Sequence, residues 1–325
     1  MKWFDIADYL NDLKAVSIII GGRGIGKTYS ALSYIIENKI RFLYLRNTKQ
    51  QIIESASDFG NPFKRLNLDK GWNIHIRAEK DHFNVLDESE TVPEVLGYSA
   101  ALSTFENLRG VDLSDVKIVI FDEFIENRSL MFDQFKTFVN MRETVSRNRE
   151  LLGEEPLICI LLSNSQSLNN PILVGYNLIP TIEGMIRSGQ QKHKQKDTLI
   201  LLPESEISEL KKSTSTYSGL QGTKIYKENL ENKFANDSFY GVQKRNIKEY
   251  RPLCQIDDMY IYLHKSNNKK YVCNIQAVNI PVFNSKDNGL MFYQSYGRYM
   301  PLEYSQGNIE FSDFTTKAKF MKLIE

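Results

Sequence analysis

The sequence predicts an α/β protein, with a parallel sheet covered by helices on both faces, followed by a small α+β domain. Short apolar runs alternate with helix-like segments in the first part of the chain, and polar groups directly follow several of these runs. After Pro203 the sequence becomes more polar and richer in turns. With 325 residues, of which 42% are hydrophobic and 25% charged, the chain is long enough for two domains. We predict a first domain at 1–204, a linker at 205–238 and a β-rich C-terminal domain at 239–325.

Apolar periodicity and chain breakers predict the elements in order. The early ones are a helix from Trp3 to Leu13, a strand Ala15–Ile20, a helix Lys27–Asn38, a strand Ile40–Leu45, a helix Gln50–Phe59, and a hairpin of Trp72–Ile76 with His82–Leu86. The later ones are a strand Lys117–Phe124, a helix Leu130–Leu152, strands Pro156–Leu162 and Thr198–Leu202, a polar helix Glu204–Lys212, and a hairpin of Met259–His264 with Tyr271–Gln276.

The segment between the first strand and its helix fits the phosphate-binding pattern G-x-x-x-x-G-K-[ST] at every fixed position. Its residues are Gly21, Gly22, Arg23, Gly24, Ile25, Gly26, Lys27 and Thr28. Glycines let the backbone turn tightly and aim N–H groups at phosphate oxygens. We expect ATP to bind here, with Lys27 on the β- and γ-phosphates and the Thr28 hydroxyl on Mg²⁺. A chance glycine-rich turn is the alternative, which the flanking strand and helix disfavour.

Two acids end the apolar strand that follows about a hundred residues later, Asp122 and Glu123. Ligands of doubly wound sheets bind at the carboxyl ends of the strands. We expect Asp122 to hold Mg²⁺, directly or through water, and Glu123 to polarise the attacking water. Acid pairs after strands are common, so the assignment depends on the phosphate loop upstream. Acids at both positions indicate hydrolysis rather than nucleotide binding alone.

The next buried strand ends in Ser163 and Asn164. A small polar side chain there would reach both the γ-phosphate and the water, so we predict that Asn164 senses the γ-phosphate. The alternative is an asparagine that merely caps a turn.

Charge and cysteine content exclude several classes of protein. The formal net charge is only +1, but bases outnumber acids in 187–196 and 244–251, which we consider candidates for phosphate contact or, equally, ordinary surface charge. The cysteines, Cys159, Cys254 and Cys273, have neither paired nor metal-binding spacing, and Cys159 lies in an apolar run. No apolar run approaches the ~20 residues that span a bilayer, and an early acid argues against a secretory signal. We therefore expect an intracellular protein that does not enter a membrane.

Several motifs together resemble those of the DNA-packaging ATPases of phi29-type tailed bacteriophages, terminase-like motors of the ASCE group of P-loop NTPases. They are Gly21–Thr28, Val119–Phe124, Thr144–Glu150, Leu162–Asn164 and Asn170–Pro171. The resemblance covers about the first 180 residues and is weak beyond them. It implies a homo-oligomeric ring, usually a pentamer, on the portal of the procapsid in the cytoplasm of the infected bacterium. Such a ring pumps double-stranded DNA inward with ATP and Mg²⁺, and some members also bind a packaging RNA.

The resemblance also assigns roles to individual residues. Arg147 matches the arginine finger that reaches the neighbouring subunit's nucleotide, with Arg149 its nearest competitor, and Arg109 matches a second base acting in trans. An arginine suits a finger because its guanidinium is always charged and can bridge two phosphoryl oxygens. Arg23 is instead a candidate for phosphate contact within its own subunit. A surface ion pair at a helix end is the alternative for Arg147.

The family's C-terminal domain resembles an RNase H-type nuclease fold without a working active site. Here Asp257 and Asp258 are adjacent, but no further acids are placed to hold two metal ions. We therefore predict no nuclease activity.

Two other functions fit the residues less well. One is a helicase or replication-initiator ATPase acting on single strands, which would favour aromatic stacking platforms. The other is a docking protein in which ATP only sets the conformation, against which Glu123 argues.

Overall fold

The computed structural model describes residues 2–79, 82–108, 110–126, 132–165, 167–231, 234 and 241–324. The chain forms two compact units, one of Met1–Tyr176 with Ile182–Asn236 and one of Asn177–Thr181 with Asp237–Glu325. Three parts of our predictions lie outside the described residues: Arg109, the start of the helix predicted from Leu130, and the domain boundary at 238/239.

The first unit contains a nine-stranded sheet with the order β3-β4-β5-β2-β6-β7-β1-β9-β8. The strands are β1 Val16–Ile20, β2 Phe42–Arg46, β3 Ile74–Ala78, β4 Phe83–Asp87, β5 Glu94–Ala101, β6 Ile118–Asp122, β7 Ile158–Ser163, β8 Lys192–Lys194 and β9 Thr198–Leu201. The six central strands, in the spatial order β5-β2-β6-β7-β1-β9, are parallel to one another. Antiparallel strands extend the sheet at both edges. The predicted parallel sheet is therefore confirmed.

Helices cover both faces of this sheet. The helices of this part of the chain are α1 Lys27–Glu37, α2 Lys49–Ser55, α3 Lys64–Lys70, α4 Gln134–Ser146, α5 Pro171–Gly175, α6 Ile179–Ser188, α7 Glu206–Lys211 and α8 Lys224–Leu230. The first three residues of α6 belong to the second unit. 3₁₀ turns occupy Ile6–Asp12, Leu102–Leu108 and Arg149–Leu152. On one face Leu32 of α1 packs in a buried cluster with Ile120 of β6. On the other, Phe138 of α4 stacks on Phe121, with ring centroids 6.0 Å apart. Because neighbouring strand residues point to opposite faces, this confirms helices on both sides.

Strand β5 was absent from our prediction. Its sequence is rich in small residues, which are not typical of strands. At Gly97 the close approach of β2 requires glycine, since a Cβ would lie 2.4 Å from the carbonyl oxygen of Phe42. Only the neighbouring strand explains this residue.

The helix predicted through Leu152 is also shorter than expected. It ends at Ser146 because Arg147 and Asn148 both adopt left-handed conformations, with φ of 45° and 61°. A short 3₁₀ turn follows.

The first unit continues past residue 204, where we placed a linker. Helices α7 and α8 fold against the phosphate loop, where the backbone N–H of Arg23 donates to the carbonyl of Asn229 at 3.1 Å. The first compact unit thus includes Ile182–Asn236, which overlaps the predicted linker, and our domain bounds stay a prediction.

The second unit contains a five-stranded mixed sheet with the order β13-β10-β11-β12-β14. Its elements are β10 Tyr250–Ile256, β11 Met259–His264, β12 Lys270–Cys273, β13 Val282–Phe283, β14 Ile309–Phe311, α9 Gly289–Phe292, α10 Met300–Ser305 and α11 Phe314–Ile324, with a π-helical turn at Tyr293–Gly297. The predicted hairpin is present as β11 and β12. This confirms a small α+β domain.

Candidate functional site

The phosphate loop connects β1 to α1, as predicted. Gly24 has a φ of +67°, and Gly26, which caps α1, has a φ of +98°. These values are costly for residues with a Cβ, which explains glycine at both positions. The loop thus delivers Lys27 and Thr28 to the first turn of the helix.

Lys27 is almost completely buried at this edge of the sheet, with 7% of its surface exposed. Its Nζ donates to the carbonyls of Gly21 at 2.9 Å and Gly22 at 2.8 Å, and to Oδ1 of Asn164 at 3.2 Å. Burial lowers the pKa of Lys27 to about 8, against the opposing effect of Asp122. An anionic phosphate would favour the charged form of Lys27.

Asn164 reaches Lys27 because of the strand order. β7 lies between β1 and β6, so the end of β7 lies between the phosphate loop and the two acids. The structure therefore brings Asn164 to the site, and its role as a sensor stays a prediction.

Thr28 and Asp122 converge on one point, as expected of a magnesium site. The Thr28 hydroxyl donates to Oδ1 of Asp122 at 2.9 Å, and the Tyr44 hydroxyl donates to Oδ2 at 3.0 Å. Burial and Asp122 raise the pKa of Tyr44, so this hydroxyl keeps its proton. Hydroxyl and carboxylate oxygens suit Mg²⁺, which usually takes one or two carboxylates and completes its shell with water and phosphate oxygens. The described residues contain no group of three or more His, Cys, Asp or Glu side chains that could hold a metal ion.

Glu123 leaves the strand in a left-handed conformation with a φ of 52°. Its side chain is 53% exposed, and Oε2 accepts from Nη2 of Arg46 at 2.5 Å. Nη1 of the same arginine lies 3.6 Å from Oδ2 of Asp122. Arg46 thus bridges both acids, which the sequence analysis missed. The available signal was its position at the end of an apolar strand, where the acids also lie.

A buried network of amides holds the backbone that follows Asp122. Asn47 Nδ2 donates to the carbonyl of Glu123 at 3.0 Å, and Gln134 Nε2 donates to the carbonyl of Phe124 at 2.6 Å. Gln134 also donates to Oδ1 of Asn47 at 2.7 Å and accepts from Nδ2 of Asn170 at 2.9 Å. All three amide residues are buried. These hydrogen bonds fix the backbone turn at Glu123. The sequence alone did not predict that the three amide residues form this network.

The two candidate finger arginines have different environments. Arg149 is 3% exposed, and its guanidinium donates to the carbonyls of Ser146, Val116, Ser114 and Val145. Arg147 has a side chain that is 45% exposed, with Nη1 at 3.0 Å from Oδ1 of Asp112 and Nη2 donating to the carbonyl of Val111 at 3.2 Å. Only Arg147 of the two is therefore accessible to another molecule, and its action in trans stays a prediction.

The basic stretches are partly neutralised within the chain. Lys192 and Lys194 both pair with Asp12, at 2.9 and 2.5 Å, and together lower the pKa of Asp12 to about 2. In the second stretch Arg245 forms two short bonds to Glu310, which is buried. Lys196, Lys244, Lys248 and Arg251 are exposed, as is Arg187, whose Nη2 lies 3.7 Å from Oε2 of Glu183. These remain the candidates for contact with nucleic-acid phosphates.

The adjacent acids Asp257 and Asp258 of the second unit both have partners within the chain. Oδ1 of Asp257 accepts from the backbone N–H of Ser285 at 2.9 Å, and Oδ2 of Asp258 pairs with Nζ of Lys319 at 2.5 Å. The absence of nuclease activity stays a prediction.

A cavity of about 690 Å³ lies beside the phosphate loop in the first unit. Its lining includes Trp3, Tyr9, Pro203 and Leu230 together with several charged side chains, most of them acidic, such as Glu206. The flat ring of a nucleotide base packs well on aromatic and apolar side chains, so this cavity is a candidate binding site for the base.

In the part of the chain that the structure describes, no helix has the length and apolarity needed to cross a membrane.

Comparisons with known proteins agree with this geometry. The model of the family described as podovirus DNA encapsidation protein (Gp16) matches residues 2–256. The DNA packaging protein of Bacillus phage phi29 is 26% identical over 241 residues, which are 72% of this chain and 66% of that protein. That of Bacillus phage B103 is 28% identical over 242 residues, 72% of this chain and 68% of that protein. The chain spans about two thirds of the length of these relatives.

Solved structures show the same fold over the whole chain. The bacteriophage Phi-29 viral genome packaging motor assembly matches with a TM-score of 0.65 and 18% identity, covering 99% of both chains. The Phi-28 gp11 DNA packaging motor matches with a TM-score of 0.62 and 18% identity, covering 99% of this chain and 98% of that one.

Proposed function

The chain belongs to the podovirus DNA encapsidation protein (Gp16) family, and from this membership we propose that it is a Mg²⁺-dependent ATPase that drives double-stranded DNA into a viral procapsid. One observation carries the ATPase part of the proposal. The adjacent residues Lys27 and Thr28 meet the adjacent acids Asp122 and Glu123 at one edge of one sheet, although 94 residues separate Thr28 from Asp122. The relatives named as DNA packaging proteins support the transport part.

Each residue then has a part in hydrolysis. Lys27 would exchange the carbonyls of Gly21 and Gly22 for phosphate oxygens, which lowers the cost of its buried charge. Thr28 and Asp122 would hold Mg²⁺. When bound, the ion neutralises charge that develops on the phosphate oxygens.

Glu123 would accept the proton of the attacking water. Its exposed side chain is accessible to water, while the buried amides fix its backbone. In this structure Arg46 pairs with the carboxylate, so Glu123 must release Arg46 before it accepts a proton from the attacking water. Asn164 lies near enough to Lys27 to orient the γ-phosphate.

The exposure of Arg147 favours the proposal that the chain forms a homo-oligomeric ring, which we propose is a pentamer. An exposed arginine at a left-handed turn can reach a nucleotide on a neighbouring copy, and such a finger contributes ~10³ to 10⁵ in rate. We propose that the ring acts at the portal of the procapsid in the host cytoplasm, with a packaging RNA as a further partner. DNA phosphates would contact exposed bases such as Lys244, Lys248 and Arg251, without sequence preference and with strong salt dependence.

The test is steady-state ATP hydrolysis against protein concentration, with no DNA, with double-stranded DNA and with single-stranded DNA. We expect turnover per subunit to rise with concentration and with duplex DNA. Turnover that responds to neither contradicts a ring motor. Stronger stimulation by single strands favours a helicase or replication-initiator ATPase instead. Entry of DNA into procapsids is then measured as protection from added nuclease, with Glu123→Gln protein as the inactive control.

A further inference from the structure

Lys211, on α7, lies against the outer side of the phosphate loop. Its Nζ donates to the carbonyl of Arg23 at 2.7 Å and to that of Gly24 at 3.2 Å. A Cβ added to Gly24 would lie 2.7 Å from this nitrogen, so the ammonium group packs directly on the loop. The phosphate-binding pattern does not include this lysine, because it is almost 190 residues away in the sequence.

The two contacts complete a pattern. Each carbonyl of the loop from Gly21 to Gly26 accepts a hydrogen bond. Lys27 Nζ serves Gly21 and Gly22, Lys211 Nζ serves Arg23 and Gly24, the N–H of Phe4 serves Ile25 at 3.0 Å, and the N–H of Ser30 serves Gly26 at 2.9 Å. All six carbonyls are therefore held by protein donors, and those of Arg23 and Gly24 face Lys211.

The direction of the carbonyls fixes the direction of the N–H groups. In a planar trans peptide the C=O and the following N–H point in opposite directions, and the described chain has no cis peptide bonds. Carbonyls of Arg23 and Gly24 that face Lys211 therefore leave the N–H groups of Gly24 and Ile25 pointing to the opposite side. Successive N–H groups aimed at one point form an anion-binding concavity.

We propose that Lys211 is a positioning residue that holds the phosphate loop in its anion-binding conformation and thereby sets the affinity for polyphosphates. The inference rests on the proposed nucleotide-binding function. Lys27 must release its carbonyls to reach a phosphate, whereas Lys211 keeps its contacts on the outer side. Its contribution is therefore present before the nucleotide arrives.

The position of Lys211 is itself fixed by its helix. Ser205 caps α7 by accepting from the N–H of Ile207, and its hydroxyl donates to the carbonyl of Lys2 at 3.3 Å. The N–H of Lys2 donates to Glu206 at 2.9 Å. Burial and Arg23 lower the pKa of Lys211, which is the cost of holding an ammonium group at this place. Loss or displacement of α7 would therefore release two carbonyls of the loop.

The experiment measures equilibrium binding of ATP, ADP and adenosine to the full chain. The variants are Lys211→Met, Lys211→Arg, and Lys227→Met as the matched control on α8. We expect Lys211→Met to weaken ATP and ADP binding by about tenfold to a hundredfold, because this is the effect on affinity that the loss of hydrogen bonds from a charged group typically has. Adenosine has no phosphate, so its affinity should stay the same. Lys211→Arg should recover most of the loss, and Lys227→Met should match the unaltered chain. In ATP hydrolysis the KM should rise with kcat unchanged.

Three results would overturn the inference. Unchanged ADP affinity in Lys211→Met, an equal loss for ADP and adenosine, or a loss of thermal stability without a change in affinity would each mean that Lys211 only supports the fold. If Lys211→Met does not fold, Lys211→Gln replaces it, because glutamine keeps a donor but not the charge. An unaltered chain that binds neither ATP nor ADP refutes the proposed function together with this inference, whereas normal binding with an unaffected Lys211→Met refutes this inference alone.

Discussion

The edge of the sheet that carries Lys27 and Asp122 differs in construction from the turn that carries Arg147. At the edge the functional side chains are buried, with 7% of Lys27 and 7% of Asp122 exposed, and each has partners within the same chain. At the turn the guanidinium of Arg147 is half-exposed and pairs with Asp112, whose side chain is 72% exposed. The contrast agrees with our proposal that the nucleotide site lies within one chain and that Arg147 acts on a neighbouring copy.

The strongest way to break this comparison is to separate the two regions onto different subunits. Glu123→Gln leaves Arg147 intact but removes the proposed base, and Arg147→Ala does the reverse. We expect each alone to lose at least ~10² in turnover, and Arg147→Ala ~10³ to 10⁵, with ADP affinity unchanged. An equal mixture should regain a clear part of the activity, because a Glu123→Gln subunit supplies its arginine to an Arg147→Ala neighbour. Steady-state hydrolysis measures this.

The informative outcome is the mixture. If the mixture is no more active than the sum of its components, Arg147 acts on its own subunit or not at all. The proposal that Arg147 acts on a neighbouring copy would then be wrong. The negative control mixes the single variant Arg147→Ala with a double variant that carries both Lys27→Met and Arg147→Ala. No subunit of this mixture has the finger arginine, so it should stay inactive.

The second test asks whether the buried amide network stabilises the edge of the sheet that carries Lys27 and Asp122. Gln134→Leu leaves partners of Gln134, such as Asn47 Oδ1 and Asn170 Nδ2, buried without it, so we expect a loss of about 1–3 kcal/mol in the free energy of unfolding. Denaturant unfolding followed by a probe in the first unit measures it. Gln50→Leu, at an exposed position on α2, is the matched control and should change stability by less than about 0.5 kcal/mol. Equal effects at both positions would mean that the network does not stabilise the edge.

The pKa of Lys27 gives a third test. In the free protein it is about 8, so the side chain is charged at pH 7 and mostly neutral at pH 9. A bound phosphate favours the charged form, so binding at pH 9 must take up a proton. The affinity for ADP should therefore fall about tenfold between pH 7 and pH 9. Lys27→Arg stays charged throughout, so its affinity should be flatter with pH, and a slope equal to that of the unaltered chain would assign the titration to another group.

How far the sequence predicts the molecule differs between the two regions for a physical reason. Lys27, Thr28, Asp122 and Glu123 follow from local patterns, since each lies in or directly after a strand or loop with recognisable composition. Arg46, Gln134 and Asn170 do not, because their roles depend on which strands are neighbours and on where α4 packs. β2 beside β6 is what brings Arg46 to both acids.

The same limit applies at the turn. Sequence alone leaves Arg147 and Arg149 as competitors, two residues apart, because the left-handed conformations that direct one outward and the other inward are not visible in it. The sequence predicts a polar helix at Glu204–Lys212 but not that α7 and α8 pack against the phosphate loop, since polar helices give little indication of what they pack on.

The smallest expected effect concerns the pair between Arg147 and Asp112. If Arg147 must leave Asp112 to reach a neighbouring subunit, the ion pair opposes assembly by the little that an exposed pair contributes, about 0–1 kcal/mol. Asp112→Asn should therefore lower the protein concentration at half-maximal turnover by no more than about fivefold, without changing kcat at saturation. Asp69→Asn, which removes another surface ion pair, from Arg65, is the control. A rise in that concentration would mean that Asp112 orients Arg147 for its neighbour instead of retaining it, and the turn would then be preorganised for contact in the single chain.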